Sequence, residues 1–87
     1  MTIAAVIGEK LASLHPESIE VLDESVLHAG HAGARDGGGH YRLIIVSGAF
    51  SNQSLQARHR MVYDALGPLM NREIHALAIK AYAPDEI

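Results

Sequence analysis

Near the start of the chain the apolar residues Ile3, Val6, Ile7, Leu11 and Leu14 recur at helical spacing. Thr2 is placed to cap that run and Pro16 closes it, so the pattern predicts an amphipathic first helix. The pattern turns to a β type at residues 19–23, IEVLD, and is strongest at 41–47, YRLIIVS, where β-branched and aromatic residues dominate. After Phe50, Ser51 or Ser54 is suited to cap a second helix over LQARHRMVYDAL, with Leu55, Val62, Leu66 and Leu69 along one face. Gly67-Pro68 ends or kinks it, since proline lacks the amide hydrogen and clashes one turn back, and Pro68 is suited to open a short turn through Met70. A last strand is expected in IHALAIKAYAP, stopping at Pro84.

The predicted order is helix, strand, strand, helix, strand, a small α+β sandwich. The two early strands are separated by roughly 16 residues where hairpins use 2 to 5, and connections of that length tend to be functional or disordered. This one reads LHAGHAGARDGGGHYR over residues 27–42 and carries His28, His31 and His40.

Composition narrows the picture. With 87 residues, 48% hydrophobic and 20% charged, the chain is expected to fold as a single domain over 1–87. A net charge of -3 gives no global attraction to nucleic acid or to an anionic membrane, so such binding needs a local patch. No apolar run approaches the ~20 residues of a membrane span, and the first residues lack a basic n-region, which reads as a cytoplasmic chain without membrane attachment. Cysteine is absent, which excludes disulfides, thiolate nucleophiles and any self-contained cysteine-ligated metal site.

The candidate chemistry is therefore imidazole chemistry. With Leu55 at the centre of the buried stripe of the second helix, His59 lies about 40 degrees from that centre and Arg60 about 140 degrees away, at ~100 degrees per residue. His59 then points inward, as a partly buried imidazole bonded to a carbonyl or a strand residue; Arg60 points out and Arg58 lies near the edge. His15 closes the first helix, His40 begins the second strand and His75 opens the last one at its edge. His28 and His31 are placed to share a zinc or copper ion, but two imidazoles without a third protein ligand make a weak site; with His40 they would form a mononuclear site needing no partner. Gly37-Gly38-Gly39 lacks the spacing and the following helix of a phosphate cradle. No nucleophile stands with a base and an orienting group, and Asp23 and Glu24 are as easily solvated strand-end residues as acids or bases, so no catalytic residue and no enzyme are expected.

Five segments in order, VLDES (21–25), LHAGHAG (27–33), GGGHYRLIIVS (37–47), SLQARHRMVYDAL (54–66) and IHALAIKAYAP (74–84), resemble the BolA-like proteins over nearly the whole chain. The resemblance implies an αββαβ fold similar to a class II KH domain, with a three-stranded mixed sheet packed against helices. It also implies a monothiol glutaredoxin as partner, the two proteins together holding a two-iron, two-sulfur cluster. In that arrangement the glutaredoxin gives one cysteine thiolate, bound glutathione another, and the BolA-like chain gives imidazole nitrogen. Carried over residue by residue, the ligands are His75, from IHAL, and His28, three positions after the serine of DES, with His31 as its rival. The chain alone is then expected to be monomeric and without a cofactor. Gly67-Pro68 departs from the continuous helix expected there. The KH-like likeness supports an alternative, a DNA-binding transcriptional regulator using Arg58 and Arg60, with Arg72 and Lys80 nearby. Against it stand the net charge, the few aromatics and the lack of a Gly-x-x-Gly loop before the helix.

Overall fold

The computed structural model describes residues 2–24 and 39–87; His28 and His31 lie outside them. Helix α1 spans Ile3–Leu11, with the Thr2 hydroxyl accepting the Ala5 N–H at 3.1 Å as its cap. A 3-10 turn at Ala12–Leu14 follows, and His15 leaves it with φ 50°, in the left-handed region. Strand β1 is Ser18–Asp23, β2 is Gly39–Val46, helix α2 is Leu55–Leu66 and β3 is Ile74–Tyr82. This is the expected order. Gly67–Asn71 forms the expected short turn after α2, which ends where Gly67 adopts φ 58°.

The sheet has the order β1-β2-β3, with β1 antiparallel and β3 parallel to β2, so it is mixed. Side chains alternate across it. Tyr41, Leu43 and Ile45 of β2 pair with Leu77, Ile79 and Ala81 of β3 and form one face. Ile7 and Leu11 of α1 and Val62 and Leu66 of α2 pack on that face with Phe50, all fully buried. Burial of such side chains contributes roughly 1.5–3 kcal/mol each and is what holds the layers together. The opposite face carries His40, Arg42 and Ile44 beside Ala76, Ala78 and Lys80. Ser47, fully buried, ties the two layers at one end: its hydroxyl donates to the Leu14 carbonyl at 2.6 Å and accepts the Ala49 N–H at 3.1 Å.

The inward side of α2 differs from the expected one. Leu55 is 65% exposed, and the buried line runs through Arg58, Val62 and Leu66. Leu55 precedes the part of the helix that the sheet supports, whereas Arg58 is drawn in by polar partners. Its Nε donates to the Gln53 carbonyl at 2.9 Å and its Nη1 to the Ala81 carbonyl at 3.0 Å. Nη1 and Nη2 also reach the two Glu86 carboxylate oxygens at 2.6 and 2.7 Å, a bidentate pair. Glu86 sits at the third position of the closing turn Pro84–Glu86 and also accepts the Ala83 N–H at 2.8 Å. The guanidinium thus fastens the chain's C-terminal turn to α2 and to the end of β3.

The hydrogen bonds from Arg58, then that from the Ala83 N–H, lower the Glu86 pKa from its ordinary 4.5 to about 2. A carboxylate held below its unfolded value stabilises the fold above that value, and the contribution fades as pH falls from about 4.5 to about 2. Glu86→Gln is expected to lower the melting temperature by a few degrees at neutral pH, with the gap to the parent closing across that acid window. Thermal melts of both proteins as a function of pH check this; a gap that stays constant into acid contradicts it.

Candidate functional site

The parallel pairing of β2 and β3 sets the first residues of both strands side by side. Gly39 pairs with Ile74, yet His40 pairs with Ala76, so β3 carries one extra residue, His75, in a bulge at this point. A bulge bends its strand and re-aims a side chain. Here the imidazoles of His40 and His75 lie with ring centroids 5.1 Å apart and planes inclined by 42°. His75 is exposed and His40 half-buried, at the rim of the face that the helices leave uncovered.

Gly39 is required by its surroundings. A Cβ there would run into Tyr41 Cε2 and lie 2.7 Å from the Tyr41 hydroxyl oxygen, because that ring folds back over the glycine. The ring is buried, so it has little room to give way. Burial, and then the Asp23 carboxylate opposite on β1, raise the Tyr41 phenol pKa above its ordinary value. The backbone is held on both sides of the bulge. The Gly39 N–H donates to the Glu73 carbonyl at 2.9 Å, and the Glu24 N–H donates to the His40 carbonyl at 2.7 Å.

Of the sequence-predicted residues, His75 is therefore on the surface, and the described imidazole beside it is that of His40. His28 and His31 fall outside the described residues, as does any site they form with His40. Among the described residues no group of three His, Cys, Asp or Glu is placed to surround an ion. The two rings bring imidazole together at one end of the sheet.

The cationic alternative loses one of its two residues. Four donor contacts of Arg58 go to Glu86, Gln53 and Ala81, and the side chain is 9% exposed, so it is a structural tether rather than a phosphate contact. Arg60 is exposed on the outer side of α2, while Arg42 and Lys80 belong to the uncovered face of the sheet; these charges do not form one patch. Arg42 is also paired with Glu24, Nε to Oε2 at 3.4 Å. His59 is half-buried, as expected, but its Nε2 is buried without a hydrogen-bond partner, so the expected bond to a carbonyl or strand residue is not made there.

A family model described as BolA-like protein matches residues 11–86. The chain belongs to the BolA-like family. It is 44% identical to an uncharacterized protein in the cobS 5′ region of Sinorhizobium sp., over 99% of this chain and 96% of that one. It is 37% identical to the DNA-binding transcriptional regulator BolA of Escherichia coli (strain K12), over 99% of this chain and 80% of the relative. The solved BolA domain of SufE1 from Arabidopsis thaliana superposes with a TM-score of 0.85 at 42% identity, covering 100% of this chain and 98% of that one. The α+β architecture, two helices on a three-stranded mixed sheet, is thus that of a BolA domain. In this BolA-like chain no helix among the described residues is long and apolar enough to cross a membrane.

Because Gly39 has no room for a methyl group, Gly39→Ala in the BolA-like domain is expected to cost ~1–3 kcal/mol, the usual range for overpacking a filled site. Chemical denaturation measures that loss. A variant as stable as the parent would show that the Tyr41 ring does not rest on Gly39.

Proposed function

We propose that this BolA-like domain is a non-enzymatic adaptor in iron–sulfur cluster trafficking or iron regulation. It pairs with a monothiol glutaredoxin and contributes imidazole nitrogen to a two-iron, two-sulfur cluster shared between them. The observation that carries this reading is the exposed His75 with a second imidazole 5.1 Å away, in a chain that has no cysteine. Four thiolates are the usual ligands of such a cluster, and none is available from this side. The donor set fits the group all the same, because imidazole is an established replacement for thiolate on one iron. Such a cluster carries less negative charge than a four-thiolate one and has a higher potential.

His75 is the anchoring ligand in this reading. The other imidazole ligand is His28, as the family resemblance implies, with His31 as its rival, His40 flanking the site without being a ligand; the thiolates come from the glutaredoxin and from glutathione. This chain's own contribution is to hold the His75 ring at the end of β3 on a bulge pinned by backbone hydrogen bonds, facing out where a partner reaches it. Nothing in this role requires turnover. In the cell such an adaptor works in the cytoplasm and is a monomer until the partner arrives.

The second reading, a DNA-binding transcriptional regulator, draws support from the name of the Escherichia coli relative. Of its two arginines Arg60 alone remains exposed, and Arg60 with Arg72 and Lys80 on a chain of net charge -3 supplies little of the phosphate attraction that such binding rests on. The adaptor reading is therefore preferred.

The test mixes the chain with a monothiol glutaredoxin, glutathione, iron and sulfide, and compares visible absorption and circular dichroism with those of the glutaredoxin alone carrying its cluster. The expected result is a new spectrum that appears only when both proteins are present and that His75→Ala abolishes. An unchanged spectrum, or one that His75→Ala leaves intact, overturns the assignment.

A further inference from the structure

We infer that the outer edge of β1 is a docking site for an extended segment of another protein, one that alternates apolar with basic residues and adds a fourth strand to the sheet. β1 is an edge strand, with β2 on one side and no strand on the other among the described residues. In an antiparallel pair the residues that bond across the ladder alternate with those that do not. The Glu24 N–H donates to the His40 carbonyl, so the ladder toward β2 also uses Leu22 and Glu20. The backbone N–H and C=O groups of Ile19 and Val21 then point to the outer edge, a template for one more strand.

The two edges of the sheet are not alike. β3, at the other edge, carries the bulge at His75 and has Lys80 along it, two features that deter pairing. β1 runs in unbroken register from Ser18 to Asp23 without proline, glycine, lysine or arginine. Its large apolar side chains are left open, Ile19 at 37% and Leu22 at 39% exposure. Charge selects the occupant. Residues 17–24, ESIEVLDE, hold four carboxylates and no base; Glu24 is paired with Arg42, while Glu17 and Glu20 stand exposed. A second copy of this chain would set carboxylates beside their own kind, whereas a basic strand meets opposite charge. Ile19 and Val21 share the helix-covered side of the sheet with Ile45 and Leu43, and Glu20 lies on the uncovered side with Ile44. The segment that fits therefore turns apolar side chains toward the helices, extending the core past Ile19, and lysine or arginine toward Glu20. β2 separates this edge from the strand of His75, so a docked segment leaves that imidazole accessible.

The experiment uses the full chain alone, without glutaredoxin, glutathione or iron, so its outcome is separate from that of the cluster reading. The probe is an end-blocked peptide of about eight residues alternating lysine and valine, long enough to cover β1. Two comparison peptides are used: one with glutamate in place of lysine, and one with the same lysines and valines but every backbone amide methylated. Amide NMR and hydrogen exchange are expected to show the Ile19 and Val21 amides shifting and gaining protection with the first peptide, at a Kd below about 1 mM. Both comparison peptides are expected to bind roughly tenfold or more weakly, the methylated one because it keeps the charge and loses the hydrogen bonds. Glu20→Lys, at an exposed side chain, is expected to weaken the lysine peptide roughly tenfold and to favour the glutamate peptide. The protection pattern of the parent needs no variant, so a poorly folded substitution does not blunt the test. Protection that falls outside β1, a methylated peptide that binds equally well, affinity unchanged by Glu20→Lys, or no binding below about 1 mM overturns the inference.

Discussion

The parallel register between β2 and β3 is the constraint on which the rest depends. Parallel strands need a crossover, here provided by α2, and a crossover returns the chain to the end of the sheet where it began. Each strand opens on a small or aliphatic residue followed by a histidine, Gly39-His40 and Ile74-His75. The crossover therefore places two imidazoles that are far apart in sequence at one end of the sheet. Without the bulge, strict pairing would set His75 opposite His40 or turn it to the core side, depending on register. The extra residue in β3 lets Ile74 stay buried while His75 reaches the surface beside its neighbour.

The two faces of the sheet then have different work. One is covered by α1 and α2 and holds the apolar core, with Arg58 as the one buried charge among the described residues, neutralised by a bidentate carboxylate and by carbonyls. Leaving such a guanidinium buried without its partner would be costly, so Glu86 keeps both α2 and the closing turn in place. The other face keeps donors accessible. The proposed sharing of a ligand set with another protein needs this division, because the donors must be rigid enough to define a geometry and exposed enough to be reached.

Element order and most boundaries were legible in the sequence because they rest on local signals: the caps Thr2 and Ser54, the apolar periods of α1 and β2, and the Gly67-Pro68 stop. What was not legible depended on contacts distant along the chain. Apolar spacing alone puts Leu55 inside, but burial on α2 is decided by where the sheet ends and by a carboxylate 28 residues beyond Arg58. Local sequence makes His40 a strand-opening residue, and it is the second residue of β2. Its pairing with His75 follows only once the strands are known to run parallel. The signal was present in the matched GHY and IHA openings on either side of a helix, although the bulge that brings the rings together has no local signature. His28 and His31 remain where the sequence left them, as residues implied by resemblance.

Membership of the BolA-like family, the cysteine-free composition and the exposed imidazole pair are consistent with one role: nitrogen donation to a centre that a second protein completes. The most direct measurement is pulsed electron paramagnetic resonance of the reduced complex, assembled from this chain carrying 15N-labelled histidine and an unlabelled monothiol glutaredoxin. The account predicts strong 15N hyperfine coupling at the cluster, including the coupling of the His75 nitrogen, because imidazole from this chain is bound to iron. A reduced cluster that shows no 15N coupling takes no imidazole from this chain, and would contradict it.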